Sequence, residues 1–241
     1  MANFPFQRLQ SDLAALIQRT PAGSRLVSEP KLAKELGVSR ATLREAMRTF
    51  ETQGLIRRRQ GAGTFVVGKV PIIDAGLEVL ESIDTMARRL NLAITVSDLN
   101  LEQMDATEEH ALGLGVAVGT CLTRIRRVMR ADTRPVAYLI DTLPEDVLRI
   151  QDLPEGFNGS VLDFLLERGN DLRISRAAIS ATNATADVAK ALEIQRGDVL
   201  LQFVSQLYTS DGRIVDRTVS YFIPGYFNFH VVRRIGNSQI S

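Results

Sequence analysis

Between Ser28 and Phe50 the apolar residues recur at helical spacing, but the run breaks once, at Gly37. A single long helix is therefore excluded. Glycine adopts the positive φ at which a helix ends, so a short helix through Leu32, Ala33 and Leu36 stops there. Val38 becomes the apolar residue of the turn, and Ser39 caps the helix that follows. Leu43, Ala46, Met47 and Phe50 then form one stripe, about 290° around the helix from Arg40. Arg40, Arg44 and Arg48 lie on the neighbouring flank, at about 0°, 40° and 80°. The seam can pack on partner helices while the flank stays exposed and cationic, the arrangement of a helix-turn-helix that enters a major groove.

The flanking segments complete a domain. Phe6, Leu9, Leu13, Leu16 and Ile17 predict an amphipathic helix over residues 5–19, ended by Thr20-Pro21-Ala22-Gly23. Ser28 is the expected cap of the second helix. After Gly54, Leu55-Ile56 and Arg57-Arg58-Arg59 lead through Gln60-Gly61-Ala62-Gly63 into Thr64-Phe65-Val66-Val67, a β-hairpin with a glycine tip and a basic base. Such a hairpin behind a recognition helix reads as a wing, its glycines permitting close approach to sugar-phosphate. Charge follows the same division. Residues 1–70 carry 12 Lys/Arg against 5 Asp/Glu, a net +7, whereas residues 71–241 carry a net −6. A basic head on an acidic body points to a polyanionic partner for the head alone.

These motifs resemble the winged-helix DNA-binding domain of the GntR family of bacterial transcription regulators, over about residues 25–66. The pieces that carry the likeness are Ser28-Glu29, Leu36-Gly37-Val38-Ser39-Arg40, Leu43-Arg44-Glu45-Ala46, Gly54-Leu55-Ile56 and Gly61-Ala62-Gly63-Thr64-Phe65. The resemblance implies operator contacts at Arg40 and Arg44, and a wing tip at Gly63. With the flank and wing it gives a candidate DNA-binding set of Ser39, Arg40, Thr42, Arg44, Arg48, Arg58, Gly61, Gly63 and Thr64. Where that family commonly has an arginine after Ser-Glu, this chain has Pro30.

The body contains an echo. Residues 106–138 and 184–216 align at a constant offset of 78, pairing Ala106-Thr107 with Ala184-Thr185, Leu114 with Leu192, Gly119 with Gly197 and Leu122 with Leu200. Each copy reads as a short helix, a glycine turn and two strands joined by a polar turn. Two copies suit an α+β domain in which half-units complete one antiparallel sheet, with a ligand cleft between them. Residues 71–92 are expected to be a linker leading into the first piece of this domain, which spans 93–241. This half resembles the UTRA effector domain of the HutC subfamily, with a chorismate lyase-like fold. The likeness rests on Leu122 to Arg127, Arg134 to Tyr138, Ser160 to Leu165 and Ser220-Tyr221-Phe222 with Phe229. It implies an effector site in which Arg124 and Arg126, alternate residues on one strand face, meet a small anionic ligand with Tyr138, while Ser160 caps a helix facing it. Asp216, Tyr221 and Phe227 would form the far wall. Leu139 and Ile223-Pro224-Gly225 replace polar residues common in that subfamily, which counts against a sugar phosphate.

Catalysis finds little support. His110 and His230 lack metal-ligand spacing, Cys121 has no histidine nearby, and no nucleotide or hydrolase motif occurs. A lyase-like enzyme domain fused to a DNA-binding head is the alternative. No cofactor or metal is expected. One cysteine, no apolar run of bilayer length and no signal-peptide layout suggest a cytoplasmic protein that does not enter a membrane. The expectation is thus an effector-responsive regulator, a repressor in the usual case, binding double-stranded operator DNA as a homodimer.

Overall fold

The computed structural model describes residues 4–21, 23–59, 62–67, 73–157 and 159–233. The chain divides into two compact units, Met1–Ile72 with Ile223–Tyr226, and Ile73–Phe222 with the residues from Phe227 onward.

The first unit has helices α1 (Phe4–Arg19), α2 (Glu29–Glu35) and α3 (Arg40–Thr52) and strands β1 (Ile56–Arg59) and β2 (Gly63–Val66). Its core takes Leu9, Leu13 and Ile17 from α1, Leu32 and Ala33 from α2, and the expected stripe of Leu43, Ala46, Met47 and Phe50 from α3. Gly37 sits at φ 66°, as the break in the apolar run requires. Ser39 caps α3, its hydroxyl accepting from the Thr42 amide at 3.1 Å. Ser28 occupies the cap position of α2 but makes no side-chain cap bond. β1 and β2 pair antiparallel, Ile56 opposite Val66 and Arg59 opposite Gly63. A segment not foreseen from sequence joins this hairpin. Arg25 bridges Phe65, the Leu26 amide donates to the Thr64 carbonyl at 2.8 Å, and the Val66 amide donates to that of Ser24 at 2.9 Å.

The second unit is built on a six-stranded antiparallel sheet ordered β4-β5-β6-β9-β8-β7. Its elements are β3 (Ile73–Gly76), α4 (Ile83–Arg89), β4 (Ile94–Asp105), α5 (Glu108–Leu114), β5 (Cys121–Ala131), β6 (Arg134–Pro144), a 3-10 turn (Ile150–Asp152), α6 (Val161–Glu167), β7 (Leu172–Asn183), α7 (Ala186–Ala191), β8 (Val199–Thr209), β9 (Ile214–Phe222) and β10 (Phe227–His230). The 78-residue echo runs further than the sequence suggests, because β4 and β7 obey the same offset at both ends. Equivalent hydrogen bonds repeat with it. The Ala106 amide donates to the Thr120 carbonyl and the Ala184 amide to the Asp198 carbonyl, both at 2.8 Å. The halves meet where β6 pairs with β9. The expected linker is corrected in part. Residues 73–76 form β3, paired parallel with β10, and residues 83–89 form α4, capped by Ser82. Ile73, Ala75, Ile83, Met86 and Ala87 are buried, so apolar burial holds this stretch in the second unit.

Candidate functional site

On the first unit, Arg40, Thr42 and Arg44 are exposed on one flank of α3, and Arg48 is half-buried beside them. Arg40 has no carboxylate partner among the described residues. Arg44 is held by Glu29, Nε to Oε2 at 2.7 Å, and Arg48 lies 3.5 Å from Glu45. Arg58 reaches in from β1, pairing with Glu51 at 3.1 Å and donating to the Arg44 carbonyl at 3.0 Å. Exposed pairs of this kind contribute about 0–1 kcal/mol, so they orient the arginines without competing strongly against phosphate. Ser39 is exposed, its hydroxyl 2.8 Å from that of Thr42. Thr64 departs from the expected set. It is only 5% exposed and points inward from β2, so its side chain has no groove to meet. Gly61 lies outside the described residues. At Gly63 (φ 105°) a Cβ would fall 2.4 Å from the Arg25 guanidine, so glycine allows that cation to lie across the hairpin. Arg25 and exposed Arg57 therefore join the basic surface. Arg57 was legible in the arginine run, whereas Arg25 depended on a strand pairing that sequence does not signal.

The second unit has a half-open cavity of about 720 Å³ against one face of the sheet. Asp84 and Met86 of α4 and Ser160 and Leu162 near α6 line it opposite the strands. Its sheet face is fixed by the pairing of Arg127 with Leu139, Asp141 with Thr218, and Ser205 with Thr218. Of the expected effector residues, Ser160 and Asp216 line this cavity. Arg124 and Arg126 do not. Both turn to the opposite face and pair with Glu102, at 3.2 and 2.7 Å, and Arg124 also lies 2.9 Å from the His110 ring. Alternation along a strand sends neighbours to opposite faces, so the arginine that enters the cavity is Arg127. Tyr138 and Tyr221, cross-strand partners stacked with ring centroids 6.4 Å apart, belong to the Arg124 face. Phe227 stacks on Phe229 at 5.5 Å, and Phe229 is the ring that reaches the cavity.

Arg127 forms a buried ion pair with Asp141. The Thr218 hydroxyl lies 3.1 Å from Asp141 Oδ1 and 2.9 Å from Asp216 Oδ2, and the Thr142 amide donates to Asp216 Oδ1 at 3.3 Å. Burial, and then the neighbouring Asp141 charge, hold the Asp216 carboxyl well above the usual carboxylate range. Burial also raises that of Asp84, against the opposing pull of Arg127. A folded-state pKa raised above the unfolded value leaves stability intact at low pH and erodes it as pH climbs toward the folded pKa. Asp216→Asn removes that erosion. Its melting temperature relative to the parent should therefore increase as pH rises from about 4 to about 8. A pH-independent difference in calorimetry would mean that Asp216 is ionised throughout.

A winged helix with an exposed basic flank, in one chain with an antiparallel α+β unit that carries a ligand-sized cavity, defines a ligand-responsive DNA-binding regulator. Residues 6–66 match the family described as bacterial regulatory proteins, gntR family, and residues 89–228 match the UTRA domain. The protein belongs to the GntR family, with a UTRA domain behind its winged helix. It is 31% identical over 221 residues to an HTH-type transcriptional regulator of Mycobacterium tuberculosis, covering 89% of this chain and 79% of that one. It is also 31% identical over 216 residues to the HTH-type transcriptional repressor NagR of Bacillus subtilis, covering 87% and 86%. The crystal structure of PhnF from Mycobacterium smegmatis shares the fold, with a TM-score of 0.65 at 21% identity over 95% of this chain and all of that one. The protein is thus a DNA-binding, effector-responsive transcription regulator, and its family and relatives are regulators rather than enzymes. Among the described residues no helix is long and apolar enough to cross a membrane.

Proposed function

We propose that the protein is a cytoplasmic repressor of the HutC subfamily. Two copies address a pseudo-palindromic operator whose half-sites lie about one helical turn apart. The observation that carries this reading is the flank of α3, where Arg40 and Arg44 stand exposed beside Arg58 of the wing. Residues 1–70 serve as the head that meets DNA, and residues 93–241 bind the effector and the second copy. The 73–92 segment is grouped with the effector unit. Ser39, Thr42, Arg48, Gly61 and Gly63 support the same surface, and Thr64 supports it from within. The repressor NagR, similar along most of its length, favours repression over activation. The effector occupies the sheet cavity and acts by binding two conformations unequally. An anionic effector has little to address there, because Arg124 and Arg126 face away and Arg127 is already paired.

The test uses the full chain and genomic fragments that it retains in a selection. Arg40→Ala should weaken binding to the selected duplex by about 1–3 kcal/mol, roughly 5- to 150-fold, with the melting temperature unchanged. Arg44→Ala should do the same, less whatever its release from Glu29 returns. Unaltered affinity in both variants would remove α3 as the reading helix.

A further inference from the structure

The sheet cavity holds more acid than base. Asp84, Asp141 and Asp216 line it, and the single guanidinium set among them is that of Arg127, committed to Asp141. The other charged groups at its wall are engaged outside the trio. Arg173 sits 2.8 Å from Asp171, Glu81 lies 2.8 Å from Arg89, and Glu78 accepts from the Val232 amide. Of the charges behind α4 and α6, Arg88 lies 3.8 Å from Asp163, which also accepts from Ser82 at 2.7 Å. Within the trio, one hydroxyl stands between two carboxyls. Thr218 has a single proton for Asp141 and Asp216, both within hydrogen-bond reach. If both acids were ionised, one of those contacts would set oxygen against oxygen with no hydrogen between. A proton on Asp216, donated to Thr218, resolves the chain, with Thr218 donating in turn to Asp141. The apolar part of the wall is Phe203, Phe222 and Phe229 with Met86, Met129 and Leu139, and the hydroxyls of Ser160, Ser205 and Ser220 lie on it as well. Aromatic faces attract cations.

We infer that the cavity takes an organic cation, a protonated amine on an apolar body, with the ammonium set between Asp216 and Asp84 and the body against the phenylalanines. This rests on reading the cavity as the effector site. The ammonium supplies the positive charge that the trio lacks, and it displaces the Asp216 proton. The ammonium and the neutral carboxylic acid become an ammonium–carboxylate pair, and one proton leaves to solvent. Affinity therefore rises with pH while the amine stays protonated. The charged groups that bear on the Asp216 proton are Asp141 and Arg127 on the sheet, and those that bear on Asp84 of α4 are Arg127, Asp163 and Arg88.

The test is calorimetric titration of the full chain with three probes of one size: 2-phenylethylamine, 2-phenylethanol and phenylacetate. The amine should bind at least tenfold more tightly than either of the others at pH 8. Its advantage should shrink at pH 6, and titrations in buffers of different ionisation heat should show a proton released. Asp216→Asn should abolish both the preference and the pH dependence, and Asp84→Asn should reduce the preference if the first variant folds poorly. Equal or tighter binding of the alcohol or the acid overturns the cationic assignment alone. The cavity reading itself falls if no probe binds at millimolar concentration, or if Leu139→Trp, which fills the space, leaves amine binding unchanged.

Discussion

Arg127→Met should cost the effector unit about 3–5 kcal/mol, the largest single loss expected anywhere in the protein. The guanidinium and the Asp141 carboxylate are both almost wholly enclosed, and removing one partner strands the other charge away from water. In a unit of this size the loss corresponds to a fall of roughly 6–20 °C in melting temperature. Replacing both partners, Arg127→Met with Asp141→Leu, should recover most of it, because a well-packed apolar pair has no desolvation cost to offset. If the single variant melts within about 1 kcal/mol of the parent, the pair is solvated and the polar floor of the cavity is misdescribed.

Leu43→Ala should have a comparable effect on the other unit. Leu43 is fully buried where α3 meets Leu13 of α1 and Leu32 of α2 in one core, and its truncation leaves a cavity costing about 2–5 kcal/mol. Small domains have little stability to spare. The amides of α1 to α3 should lose hydrogen-exchange protection and operator binding should fail at physiological temperature, while the effector unit keeps its ligand response. Retained protection in α3 would show that its apolar seam is not what seats the helix.

What the sequence disclosed and what it withheld follow from locality. The seam and flank of α3 were legible because helical period is a local property, and Gly37 and Gly54 mark their own turns. The two halves of the body were legible because identical residues recur at a fixed offset. Their first strands, β4 and β7, went unseen since ITVSDLNLEQMD and LRISRAAISATN share register but few side chains. Strand parity was the costliest miss. Arg124, Arg126 and Arg127 fall within one strand with both faces partly covered, so alternation gave no inside and outside to separate them. Only the pairing of β5 with β6 decides that Arg127 enters the cavity. Within residues 71–92 β3 was not legible, because its partner β10 lies more than 150 residues along the chain.

The salt dependence of duplex binding by the full chain, measured by fluorescence anisotropy from 50 to 200 mM on a selected fragment, bears most directly on the head as a groove-binding cation. The logarithm of affinity should fall linearly with that of salt, at about 0.9 per phosphate neutralised, and Arg57→Ala, if it meets phosphate, should reduce the slope by about 1. Binding indifferent to salt, or no binding at 50 mM by a properly folded chain, would contradict the account.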